Sequence, residues 1–150
     1  MDLTQSQMHI VLADDDEDDR IFFNDAIKEL KIESKLTTFS DGKELMEYLA
    51  SPDTTLPHIL FLDLNMPCKT GAECLKEIRS NPRLKNMTIA IYSTSSSEKD
   101  IEETFIGGAN IYIKKPSDFN NLKKVINDVV NMNWQYHTSG LNKETFFLSV

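Results

Sequence analysis

"HIVLADDDEDDR", residues 9–20, joins a short apolar run to six consecutive carboxylates, Asp14 to Asp19. How that junction is read decides the fold. Like charges crowded together repel and shift one another's pKa values. Either the acids are fully solvated, or something at the end of a buried strand offsets them. The apolar half, "MHIVLA" (Met8–Ala13), reads as a first buried strand. The half that follows, "DRIFFNDAIKEL" (Asp19–Leu30), places Phe23, Ala26, Ile27 and Leu30 on one helical face.

The same alternation continues along the chain. "KLTTF" (Lys35–Phe39) is a second strand, and "SDG" (Ser40–Gly42) opens a helix carrying Leu45, Met46, Tyr48 and Leu49. "HILFLD" (His58–Asp63) is apolar on both faces, as interior strands of a parallel sheet are. After the loop "NMPCKTG" a helix runs to about Arg79, with Ala72, Leu75 and Ile78 inward, until "NP" ends it. "TIAIYS" (Thr88–Ser93) and "NIYIK" (Asn110–Lys114) are strands four and five, separated by the helix "SEKDIEETFIGG". A last helix spans Pro116–Val130, with Phe119, Leu122, Val125, Ile126 and Val129 inward. Five strands alternating with five helices predict a doubly wound α/β domain with a parallel sheet covered on both faces. Ligands of such sheets bind beyond the carboxyl ends of the strands.

Composition narrows the function. The chain has 150 residues, 40% of them hydrophobic, enough for one domain with one core. A net charge of -8 argues against a general nucleic-acid binder, since phosphate contacts rest on Lys and Arg. The cysteines, Cys68 and Cys74, lack metal-ligand spacing and fit reduced thiols of a cytosolic protein. No signal peptide is visible in "MDLTQSQM", and the longest apolar run, "ILFL", is far too short to cross a bilayer. The expectation is a soluble cytoplasmic protein without a membrane or nucleic-acid partner.

The strand ends collect the chemistry. Strand one ends in Asp14, Asp15 and Asp16, strand three in Asp63, strand four in Ser93 and Thr94, and strand five in Lys114, Lys115 and Pro116. Converging carboxylates form a hard oxygen site suited to Mg²⁺, which offsets their repulsion and keeps them ionised. An ionised Asp beside a metal is a competent nucleophile toward phosphorus. Lys115 would bring a cation to phosphoryl oxygens, and Ser93 a hydroxyl. Simpler readings stand beside these. Glu17, Asp18 and Asp19 suit the first turn of a helix, where acids meet its dipole. Asp16 suits an N-cap, Ser93 could cap the next helix, and a Lys-Pro pair is commonly a turn. Asp14, which ends an apolar strand, is explained poorly by the dipole.

"LADDDEDD", "LDLNMP", "IYSTS" and "YIKKP" together resemble the receiver domain of bacterial two-component response regulators, close to the single-domain chemotaxis-type members. The resemblance covers about Met8 to Val130, with 30 residues from Asp63 to Ser93 and 22 from Ser93 to Lys115. It implies a flavodoxin-like sheet of order 2-1-3-4-5. It implies that Asp63 accepts a phosphoryl group and that Asp14, Asp15, Asp63 and the backbone carbonyl of Asn65 hold Mg²⁺. Ser93 aligns with the switch hydroxyl, Thr94 with the small residue after it, Lys115 with the phosphate-pairing lysine across a cis bond to Pro116, and Tyr112 with the aromatic switch residue. Asn65 and Ser95 would tune hydrolysis. Two departures are Thr94, bulkier than the usual alanine, and Lys69-Thr70, where many relatives carry Met-Asp.

The implied partners are a sensor histidine kinase or histidine phosphotransfer protein, a downstream protein target, and a second copy of the chain as a homodimer candidate. The implied activity is not that of an enzyme beyond self-catalysed phosphotransfer and dephosphorylation. Residues 1–7 read as an N-terminal extension, 8–131 as the receiver domain, and 132–150 as a tail without an output domain. The tail contains the apolar "FFLSV" and either packs back, meets a partner or is disordered. Trp134 and Tyr136 either cover the bottom of the sheet or mark a contact face. His9, His58 and His137 are read as unclustered. A haloacid-dehalogenase-type phosphatase would want a second Asp where Asn65 stands. A nucleotide-binding module would want a glycine-rich first turn, which "ADDDEDDR" lacks. A receiver-like module that has lost phosphorylation is the third alternative.

Overall fold

The computed structural model describes residues 7–132 and 146–148. The expectations for residues 1–6, Trp134, Tyr136 and His137 lie outside them. The elements alternate from β1 (Met8–Ala13), α1 (Glu17–Leu30), β2 (Ser34–Phe39) and α2 (Gly42–Ala50) through β3 (Ile59–Leu62) and α3 (Gly71–Ser80). They continue with β4 (Ile89–Ser93), α4 (Glu98–Ile106), β5 (Ile111–Lys114), α5 (Phe119–Val130) and a short β6 (Phe147–Leu148). The sheet order is β2-β1-β3-β4-β5-β6, and every pairing is parallel. The five-stranded expectation holds for the order 2-1-3-4-5, and the sixth strand is a correction to it.

Period-two alternation divides the core. On β1, Val11 and Ala13 face one side, joining Leu45 and Leu49 of α2 and Cys74, Leu75 and Ile78 of α3. Ile10 and Leu12 face the other, joining Phe23, Ala26 and Ile27 of α1 and Leu122, Val125, Ile126 and Val129 of α5. Successive strand side chains point to opposite faces, so a strand buried on both must be apolar throughout. Ile59–Leu62 is therefore buried at all four positions.

Side chains fix the helix starts. Asp16 accepts a hydrogen bond from Asp19 N–H, as expected of an N-cap, and Thr70 with Glu73 forms a reciprocal capping box at α3. That box starts α3 at Gly71 and centres its inward stripe on Gly71, Cys74, Leu75 and Ile78. Ala72, expected inward, is exposed as a result. His9 and His58 also depart from expectation, because they meet. His9 N–H donates to His58 Nδ1 at 2.8 Å, and His58 N–H donates to His9 O at 2.8 Å. Strand pairing of β1 with β3 makes neighbours of residues 49 apart in sequence.

Part of the tail packs back. Phe146 is fully buried, with its ring 5.3 Å from that of Phe105 and 6.2 Å from that of Tyr112. Phe147 and Leu148 continue the ladder beside Tyr112 and Ile113 of β5. A strand edge left bare would expose a row of unpaired backbone groups. Truncating Phe146 to Ala should lower the unfolding free energy by about 3 kcal/mol, the low end for a buried Phe. A urea melt showing a change under about 0.5 kcal/mol would contradict the packing of Phe146.

Candidate functional site

Strand order reverses between β1 and β3, so the loops that leave these two strands part to opposite faces and leave a crevice. Asp14 directly follows β1 and Asp63 directly follows β3. Both are buried, at 0% and 4% relative exposure, while Asp15 is exposed. Asp14, Asp15 and Asp63 each offer a carboxylate oxygen, and these oxygens lie within 4.8 Å of one another.

One cation holds the acids together. Lys115 Nζ lies 2.8 Å from Asp14 Oδ2, 2.9 Å from Asp19 Oδ2 and 3.2 Å from Asp63 Oδ2. Its side chain is only 8% exposed, and Nζ also sits 5.3 Å from the centroid of the buried Tyr92 ring. Lys114 is exposed, because adjacent residues at a strand end point to opposite sides. The Lys115–Pro116 bond is trans, a correction to the cis bond that the resemblance implied. X-Pro isomers differ by only about 0.5–1 kcal/mol, so local sequence does not fix the choice.

Backbone contacts pin the carboxylates. Asp14 Oδ1 accepts from Asp16 N–H at 3.0 Å, and Arg20 donates to Asp14 O at 2.7 Å. Asp63 Oδ1 accepts from Asn65 N–H at 3.3 Å. Gly71 N–H donates to Leu64 O, so α3 begins against the end of β3. A Cβ on Gly71 would lie 2.1 Å from Asp63 O, a distance only glycine avoids.

Ser93 is fully buried, and its Oγ accepts from Ser95 N–H at 3.1 Å. Tyr112, also fully buried, donates its hydroxyl proton to Ser95 O at 2.8 Å. Burial raises the Tyr112 phenol pKa, with hydrogen bonds to Ser93 and Ser95 opposing. Thr94 is exposed. The site residues named from sequence thus fall into an acidic cup with its lysine and a hydroxyl cluster around Ser95.

Burial is the main influence on Asp14, and with Asp63 it outweighs Lys115 and the Asp16 amide, lifting Asp14 to about 6. Burial alone would push Lys115 down, but its pairing with Asp14 and Asp19 and the charge of Asp63 raise it. The cup therefore carries more negative charge than its lysine neutralises.

That excess is what a divalent cation would meet. Asp14 Oδ2 is fully buried, and its partner is the Lys115 ammonium 2.8 Å away. Adjacent octahedral ligands at ~2.0–2.1 Å stand about 2.9 Å apart, so the three oxygens, within 4.8 Å of one another, would have to draw in around the ion. The donor set, all oxygen and largely carboxylate, fits Mg²⁺ or Mn²⁺.

Sequence reading missed two members. Asp19 suits the helix dipole by position, but it faces the cup and pairs with Lys115. Its position one turn after Asp15, on a helix starting at the strand end, was the available signal. Tyr92 is by sequence a strand residue, and nothing local marks it as a neighbour of the lysine.

The fold is that of a receiver domain. A profile of the response regulator receiver domain matches residues 10–127, and the chain belongs to that family. Response regulator Rcp1 from Synechocystis is 29% identical over 80% of this chain and 84% of its own length. The probable methanogenesis regulatory protein FilR2 of Methanothrix harundinacea is 27% identical over 80% of this chain and 79% of its own length. The crystal structure of Mn²⁺-bound Rcp1 aligns with a TM-score of 0.74 and 28% identity, over 81% of this chain and 91% of that one. The phosphorylated cyanobacterial phytochrome response regulator RcpA aligns at 0.77 and 28% identity, over 91% and 97% respectively. Among the described residues, no helix is long and apolar enough to cross a membrane.

Two outcomes follow from the cup's geometry. Between pH ~4 and ~6 folded Asp14 keeps its proton while the unfolded chain has lost it, so stability falls as pH rises through that window. Asp14→Asn should therefore melt higher than the parent in chelated buffer at pH 7, by on the order of 2 kcal/mol, with the gap closing as pH falls to 4. A variant less stable at pH 7 would contradict this. Gly71→Ala should cost about 1–3 kcal/mol in a denaturant melt, because the Asp63 backbone must shift; an unchanged midpoint would refute that close approach.

Proposed function

We propose that this receiver takes a phosphoryl group onto Asp63 from a phosphohistidine of a partner kinase or phosphotransfer protein, and signals through protein–protein contact. The observation that carries the reading is the convergence of Asp14, Asp15 and Asp63, with a buried lysine set against Asp14 and Asp63. Its relatives support it, since one solved structure holds Mn²⁺ and another is phosphorylated. Asp14, Asp15, Asp63 and the Asn65 carbonyl would hold Mg²⁺. The cation's contribution is to offset charge on the transferring group.

The chain's own residues do the rest. A carboxylate oxygen of Asp63 forms a bond to phosphorus, and the P–N bond to the donor imidazole breaks with its electron pair going to nitrogen. Asn65 N–H orients the Asp63 carboxylate through Oδ1. Lys115, already beside Asp63 Oδ2, gives N–H donors to phosphoryl oxygens. Water returns the carboxylate and releases phosphate, so the protein is a signalling switch rather than a turnover enzyme.

The new negative charge draws the Ser93 hydroxyl, with Thr94 after it flanking the phosphoryl group. Ser93 and Tyr112 share Ser95 as a partner, so moving one disturbs the other. Tyr112 in turn touches Phe146 and Phe147. The surface of α4, β5 and α5 would change, and a target that prefers the new surface reads the state. The returning β6 segment lies on the β5 edge of that surface. The target is a protein, with a second copy of the chain as one candidate. Two free cysteines, one of them exposed, fit a cytoplasmic setting.

Intact-mass measurement after incubation with Mg²⁺ and phosphoramidate tests the site. The parent should gain one phosphoryl group, and Asp63→Asn or added EDTA should abolish the gain. Undiminished labelling of Asp63→Asn, or an unlabelled parent, would overturn the assignment.

A further inference from the structure

The lysine of the cup has a third partner that the phosphotransfer reading leaves without a role. Lys115 carries three N–H donors, and three carboxylates surround it: Asp14, Asp63 and Asp19. The first two belong to the group whose oxygens converge for a cation; Asp19 does not. A cation that takes Asp14 and Asp63 therefore draws charge away from two of the lysine's three counter-ions. The Lys115 side chain is 8% exposed, and a buried charge that loses its partners is costly. Cation entry and Lys115 thus draw on the same two carboxylates unless another acid retains the lysine.

Resting on the proposed Mg²⁺ site, we infer that Asp19 is a positioning residue that keeps Lys115 paired when Asp14 and Asp63 turn to the metal, and so lets the metal in. Its placement suits that task. Asp19 N–H donates to Asp16 Oδ1 at 3.2 Å, which fixes the first turn of α1 against the end of β1. Arg20, the next residue, holds Asp14 O from the same turn. The Asp19 side chain is 33% exposed, so its charge needs little desolvation, yet it lies 2.9 Å from Nζ. Asp18, its neighbour in the same turn, is exposed and shares Asp19's charge and helix-dipole position. If Asp19 acted only as an acid of the first turn, the two would be interchangeable.

Calorimetric titration of the full chain with Mn²⁺ and with Mg²⁺ separates these cases. Asp19→Asn should weaken cation binding about tenfold, the size found for second-layer partners of metal ligands. Asp18→Asn, which removes the same formal charge, should change it less than about twofold, because exposed charge is screened. In a Lys115→Met background, Asp19→Asn should fall to the small effect of Asp18→Asn, since no lysine remains to be retained. Thermal melts of each variant establish that it is folded. Equal effects of Asp19→Asn and Asp18→Asn overturn the inference, as does a tenfold effect that persists without Lys115. A parent chain that binds neither cation would instead overturn the metal site, and the inference with it.

Discussion

A single buried ammonium holds the functional end of this domain together. Lys115 enters from β5, Asp14 from β1, Asp63 from β3 and Asp19 from α1, and their charged atoms meet within 3.2 Å of Nζ. Without it, two buried carboxylates would face each other across the crevice with no cation, and one of them would take up a proton. The arrangement is balanced rather than optimised for stability. Burial lifts Asp14 to about 6 against the pull of Lys115 and the Asp16 amide. Local destabilisation of that kind is usual where a protein must bind something that restores the balance.

The rest of the fold serves to hold that contact in register. Strand positions buried on both faces allow no slip, because a one-residue shift would exchange the two core surfaces. The contact Gly71 makes with Asp63 O, the Thr70–Glu73 box and the Asn65 amide then set the Asp63 carboxylate from the loop side. On the far side of β4, Ser93, Ser95 and Tyr112 form a hydrogen-bonded path from the rim to the β5 edge. Phe146 closes that path by filling the space between Tyr112 and Phe105. Tyr112 thus ties the Ser95 loop to the sheet edge through packed groups.

Much of this was legible in order along the chain. Runs such as "ILFL" mark strands buried on both faces, and the helical stripes of α1 and α5 follow from spacing alone. The acids at Asp14 and Asp63 and the lysine at Lys115 stand at strand ends, which the α/β pattern alone brings to one rim. Asp19 was illegible because its first-turn position already has a sufficient explanation in the helix dipole. Ala72 was misplaced because the α3 stripe depends on where the capping box starts the helix, and a shift of one position turns a face by about 100°. The meeting of His9 and His58 needs the β1–β3 pairing, which no local pattern states.

Sequence by itself determined the alternating elements, the parallel doubly wound class and the identity of the acids, lysine and hydroxyl at the strand ends, because apolar periodicity and strand-end position are local properties. Tertiary structure alone decided that Asp19 shares the lysine, that Tyr92 lines it, that the Pro116 bond is trans and that Phe146 returns to the sheet as the start of a sixth strand. Those outcomes depend on distances between segments far apart in the chain. Such distances are set by how whole helices and strands pack, and no short stretch of residues encodes them.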